Sequence, residues 1–157
     1  MSELAPPIYV RLGGPPRLGW LSRLLALAIA LGALCVLLTA ARLIPEAGGI
    51  GTHTQLGLAP CAFLDRTGIP CAGCGMTTSF AHFVRGQVFA SFFAQPFGFV
   101  LAVCTAVVFW GAIYVGTTGK ASYRLLLMIP LKAHLFFWLG FAALGWIWKL
   151  IAVVSSH

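Results

Sequence analysis

The sequence predicts an all-α integral membrane protein, with three transmembrane helices plus a short amphipathic interfacial helix that follows a cysteine-rich turn. Three observations carry that prediction. Of 157 residues, 60% are hydrophobic and only 8% charged, too apolar for a core wrapped in a wettable surface. Three apolar runs reach the roughly 20 residues that a helix needs to cross a bilayer. Between the first two lies a polar island, Pro60-Cys61 through Cys71-Ala72-Gly73-Cys74-Gly75, which holds three of the five cysteines and which anchoring alone does not require.

The chain divides into a flexible basic tail, residues 1–23, and a membrane domain, residues 24–157. Ala5-Pro6-Pro7 and Gly13-Gly14-Pro15-Pro16 give the tail its turn-rich character. The first span is expected at about 24–41, with Arg23 and Arg42 snorkelling to opposite interfaces. It is longer than the about 7 to 15 apolar residues of a secretory signal peptide, so an uncleaved anchor is expected. The second span is expected at about 96–116, with Trp110 and Tyr114 near the headgroups. The third is expected at about 133–154, with Trp146 and Trp148 as belt residues and Lys149 reaching the polar headgroups. The apolar run Leu125 to Leu131, broken by Pro130, is too short to span and reads as an interfacial approach.

Charge supports this assignment and fixes an expected orientation. The net charge of +7 arises because only Glu3, Glu46 and Asp65 oppose ten Lys and Arg. These bases cluster beside apolar spans, so a bilayer, with a membrane-protein partner as a further candidate, is expected rather than nucleic acid. Arg11, Arg17 and Arg23 precede the first span, and Lys120, Arg124 and Lys132 lie between the second and third. The long connection, 43–95, carries only Arg66 and Arg85. The positive-inside rule then predicts a multi-pass protein of the cell membrane, such as a bacterial inner membrane, with a cytoplasmic amino terminus and an extracytoplasmic cysteine connection. On an oxidising face, neighbouring thiols tend toward disulfides.

Cys71-Ala72-Gly73-Cys74 is a C-x-x-C motif, and the residues after it place Met76, Phe80, Phe83 and Val84 on one helical stripe that ends at Gly86. The cysteines are expected at the amino end of this helix, where backbone amides favour a thiolate. Gly75 after the second cysteine excludes covalent haem attachment, which needs histidine there. Phosphate-binding glycine loops, a nucleophile-elbow serine and a zincin histidine pair are absent from the sequence. The scattered acids exclude chemistry by paired carboxylates.

Pro60-Cys61, Thr67-Gly68-Ile69-Pro70-Cys71-Ala72-Gly73-Cys74-Gly75-Met76-Thr77, Arg85-Gly86-Gln87 and Gln95-Pro96 together resemble the signature of an uncharacterised family of small bacterial membrane proteins, a domain of unknown function. That signature is a Pro-Cys pair, Thr-Gly, Cys-Pro-Gly-Cys-Gly, Thr-Arg, an Arg-Gly-Asp-like step and Asn-Pro. The resemblance covers roughly Ala59 to Val115 and marks Gly68, Gly73, Gly75, Thr77, Arg85, Gly86 and Pro96 as motif positions. It implies a membrane location and a shared cysteine motif, and no activity. Ala72, Thr78, Gln87 and Gln95 depart from the pattern. Thr78 in place of arginine removes a cation that some thiol chemistries would use.

Three readings of the island follow. In the leading one, Cys61 bridges Cys71 or Cys74 as a structural disulfide staple, closing a loop of about ten residues worth roughly 2 to 3 kcal/mol. In the second, Cys71 and Cys74 are the catalytic pair of a thiol-disulfide redox protein, with Cys61 relaying. In the third, Cys61, Cys71 and Cys74 bind a metal, zinc being the candidate cofactor, with His82 or His53 as fourth ligand. Cys35 and Cys104, inside spans, read as packing residues, His134 as an interface marker and His53 as a solvated loop residue. The phenylalanines from Phe80 to Phe99 read as lipid contacts or helix packing.

Overall fold

The computed structural model describes residues 18–120 and 131–154. The predicted tail up to Arg17, with Arg11, and the interfacial run before Leu131, with Arg124 and Pro130, lie outside the described residues. Six α-helices occur among the described residues, with no β-strand. They are α1 (Trp20–Arg42), α2 (Ala62–Thr67), α3 (Met76–Phe83), α4 (Val88–Ala94), α5 (Pro96–Thr118) and α6 (Leu131–Val154). A 3₁₀ turn, Thr52–Leu56, lies between α1 and α2. Helices α1, α5 and, over Leu135–Val153, α6 are long and apolar enough to cross a membrane. The chain is an all-α membrane protein, as its composition predicts.

Antiparallel α1 and α5 form the central pair, each capped by an arginine from elsewhere in the chain. Arg23 donates to the carbonyls of Gly116 and Thr117, both at 2.9 Å, at the carboxyl end of α5. Arg85 donates to Ala41 O at 3.1 Å, at the carboxyl end of α1, and to Ala81 O of α3 at 2.7 Å. Both satisfy carbonyls that a helix end leaves unpaired, in the field of the helix dipole. Arg23 therefore caps a neighbouring helix.

Close approach depends on small residues, because lipid tails supply no hydrophobic drive between spans. Ala26, Ala30, Ala40, Ala81 and Ala102 are buried, while large residues such as Leu31, Trp110 and Phe136 face outward. A Cβ on Gly116 would come within 2.7 Å of the Leu27 side chain, and one on Gly145 of α6 within 2.8 Å of Phe97 Cβ. Pro96 occupies the first turn of α5, where its missing N–H leaves nothing unpaired. The Gln95 side chain accepts from the Gly98 amide in the same turn.

The connection between α1 and α5 is more helical than the sequence pattern indicated. Besides the predicted α3, it contains α2, α4 and the 3₁₀ turn. The predicted turn at Gly86 is present, with φ 74°. The buried face of α3 differs from the predicted stripe. Thr78, Ser79 and Ala81 are buried, while Met76 and Phe80 line an open groove. Ser79 and Ser91 explain the reversal. The Ser79 hydroxyl reaches Ser91 O at 2.8 Å, and the Ser91 hydroxyl donates to Ser79 O at 2.7 Å, locking α3 to α4 through a polar seam too tight for phenylalanine. Aromatic rings close the periphery: Phe92 packs edge-on to Phe99, and both Phe92 and Phe93 lie against Trp148 of α6.

Candidate functional site

Cys61, Cys71 and Cys74 converge, with all three sulfurs within 4.8 Å of one another. Local chain chemistry brings them together. Cys61 immediately precedes α2, which stops at Gly68 in the left-handed region with φ 70°. Pro70 then returns the chain to Cys71. A tight turn follows, in which the Cys74 amide donates to Cys71 O at 3.0 Å and the Met76 amide to Gly73 O at 3.1 Å. Gly75, with φ 88°, launches α3.

The turn is held from below by residues that lie far away in sequence. Gln95, fully buried, donates through Nε2 to Ala72 O at 3.3 Å. Trp146 of α6 donates to Pro70 O at 2.9 Å. Lys149 of α6 donates to Gly49 O at 3.0 Å and to Ala94 O at 3.1 Å, and is only 5% exposed. Trp148 donates to Phe93 O at 3.3 Å. The expected role of Lys149 is thus corrected, since it is buried beneath the turn instead of reaching headgroups, while the Trp146 and Trp148 indoles donate to backbone carbonyls of the connection. Nothing local at Lys149 distinguishes it from a terminal snorkelling lysine. The available signal is that a charge more than one turn inside an apolar helix needs a partner.

Cys61 and Cys74 are shifted in opposite directions. The Leu64 amide at the start of α2, followed by the Cys71 side chain, lowers Cys61 to about 7. Burial, followed by the neighbouring thiols Cys71 and Cys61, pushes Cys74 up to about 12. The amide-stabilised thiolate therefore belongs to Cys61 and α2. The expectation that α3 would activate the C-x-x-C motif does not hold at Cys74, where desolvation outweighs the helix end. Cys71 and Cys74 stand 3.4 Å apart as thiols, in contact and unbonded.

The other predicted positions scatter around this centre. His82 Nδ1 lies 2.6 Å from Gln87 Oε1, and His53 Nε2 lies 3.2 Å from Ala59 O in the 3₁₀ turn, so neither histidine joins the sulfurs. Among the described residues no fourth Cys, His, Asp or Glu completes the group. Thr52 and Thr78 hydroxyls pair at 2.8 Å, tying the 3₁₀ turn to α3. Thr77 lines a groove of about 490 Å³ between α1 and α3, together with Cys35, Thr39, Leu43, Gly73 and Met76. Arg85 and Pro96 serve helix ends, as described above, and Gly73 has room at its Cβ position, the nearest atom being Cys71 Sγ at 3.9 Å. Cys104 lies in α5, away from the cluster.

Residues 61–109 match the family described as Protein of unknown function (DUF2752). The matched segment begins at the first island cysteine and runs through α4 into α5, in agreement with the resemblance drawn from the motif. No curated protein and no solved structure matches the chain.

Proposed function

We propose that this multi-pass membrane protein binds one thiophilic divalent cation, with zinc as the first candidate, through Cys61, Cys71 and Cys74. The convergence of three sulfurs within 4.8 Å carries the reading. A tetrahedral zinc with bonds of about 2.3 Å holds its sulfurs about 3.8 Å apart, a spacing these thiols already approximate. A staple needs two cysteines and leaves the third unexplained. The crowding also favours a cation: neighbouring thiols oppose ionisation of Cys74, and a bound metal reverses that balance. Three protein donors leave one tetrahedral position for water or an exchangeable ligand, the layout of a reactive or transfer site.

Metal content of protein purified in detergent without chelator tests this. About one metal per chain is expected. Cys61→Ser, Cys71→Ser and Cys74→Ser should each lose most of it while keeping wild-type helicity, and unchanged metal in all three variants would sink the reading. The 3.4 Å gap between Cys71 and Cys74 favours one alternative, thiol-disulfide exchange. There, a partner's disulfide would take two electrons and two protons and become a dithiol as Cys71 and Cys74 form a bridge. Metal-free protein with that pair resistant to alkylation until reduced would favour the alternative.

The proposed orientation places the sulfur site outside the cytoplasm. Its support is the basic character of the opposite ends, where Arg23 meets the end of α5 and Lys120 follows. Because α6 ends beside the cysteine connection, a reporter fused after His157 that matures only outside the cytoplasm should be active. Activity confined to a cytoplasmic reporter would reverse the orientation.

A further inference from the structure

We propose that Lys149 is the built-in counter-cation of the sulfur site, a positioning residue that turns its remaining ammonium hydrogen toward Cys74 and balances the charge of the loaded site. This rests on the metal-binding reading above and extends it to the third span. Lys149 lies inside a helix long and apolar enough to cross the membrane, yet it is 5% exposed. An ammonium there is costly unless an anion meets it. No carboxylate supplies one among the described residues: the lysine's hydrogen bonds go to the neutral carbonyls of Gly49 and Ala94. The turn it packs against holds Cys74, next to Gly75, a thiol that becomes an anion when it gives up its proton to a metal.

Geometry puts the ammonium against the cysteine turn. Lys149 Nζ stands 3.2 Å from the place a Cβ on Gly75 would take, one residue beyond Cys74. Two of its three N–H groups are used by carbonyls, which aims the head and leaves one donor. Three thiolates around a divalent cation leave one negative charge, and Lys149 neutralises it.

The test compares Lys149→Met, which keeps length and removes charge, with Lys149→Arg, which keeps charge and changes shape, in the full-length detergent-solubilised chain. Cadmium is titrated against a competing chelator, and thiolate-to-cadmium charge-transfer absorbance is followed. Lys149→Met should weaken binding by about 10- to 100-fold, and Lys149→Arg should restore most of it. Binding by Lys149→Met within about twofold of wild type, with the same absorbance per cadmium, would overturn the assignment. A lysine that only tied helices together would be damaged by both substitutions. Should Lys149→Met lose wild-type helicity, Lys149→Gln carries the same comparison.

If the wild type takes up no cadmium, the metal reading falls and the counter-cation is judged separately. Around Cys74 stand the sulfurs of Cys61 and Cys71 and, against the adjoining Gly75, the Lys149 ammonium. With the charge removed, Cys74 alkylation at fixed alkaline pH should slow by about 10-fold, following its thiolate fraction, and Lys149→Arg should not slow it. An unchanged rate in Lys149→Met would then sink the counter-cation role on its own.

Discussion

Raising the pH from about 6 to about 8 should strengthen metal binding by at least 100-fold, because the site loads by exchanging protons for the cation. The sign follows from the two shifted thiols. Cys74, pushed up to about 12 by burial, is a thiol throughout that range and must release its proton whenever a metal binds. Each pH unit therefore contributes about tenfold from Cys74 alone. Cys61, lowered to about 7 chiefly by the Leu64 amide, adds a second proton below neutrality and progressively less above it. A plot of log affinity against pH should accordingly be steeper at pH 6 than at pH 8. Cadmium titrations in buffers of known metal affinity check this, and a flat profile would show that the cysteines do not bind as thiolates. The same asymmetry orders metal-free alkylation near neutrality, with Cys61 reacting well before Cys74.

Gly75→Ala should abolish the site and destabilise the fold, whereas Gly73→Ala, two residues earlier, should do neither. At Gly75 a left-handed φ of 88° already disfavours any side chain by about 1 to 2 kcal/mol. An added Cβ would also lie 2.8 Å from Gly49 O and 3.0 Å from Ala94 O, the two carbonyls that hold Lys149. Neither is a flexible side-chain end. The methyl group must therefore push the cysteine turn off α6, breaking the lysine's hydrogen bonds as it does so. Strain and overpacking together amount to about 2 to 5 kcal/mol. A lowered melting temperature in detergent, loss of metal and faster Cys74 alkylation are the expected readings. Gly73 has no positive φ and only Cys71 Sγ at 3.9 Å. Equal tolerance of both alanines would refute the packing described for the turn.

Some of this was legible along the chain and some was not. The C-x-x-C motif, Gly75 and Gly86 announced a tight turn, a short helix and its end, since each is a local backbone property that survives whatever surrounds it. Helices α2 and α4 do not follow from the sequence pattern, because at six and seven residues they are too short for a helical period to stand out. The inward face of α3 does not follow from its apolar stripe, because hydrophobic periodicity assumes water outside. In lipid the bulky Met76 and Phe80 are at no disadvantage on an open groove, while Thr78 and Ser79 need the interior for their hydroxyls.

What the sequence by itself determined is the solvent and the number of crossings. Composition and run length are sums over neighbouring residues and need no knowledge of contacts. Only the tertiary structure decided that Cys61 joins Cys71 and Cys74, that His82 and His53 stand apart, and that Lys149, Trp146 and Gln95 support the turn from distant positions. The physical reason is that a buried charge or amide takes whichever partner the packed helices bring near, and which helices pack depends on Gly116, Gly145 and the Ser79–Ser91 seam acting together.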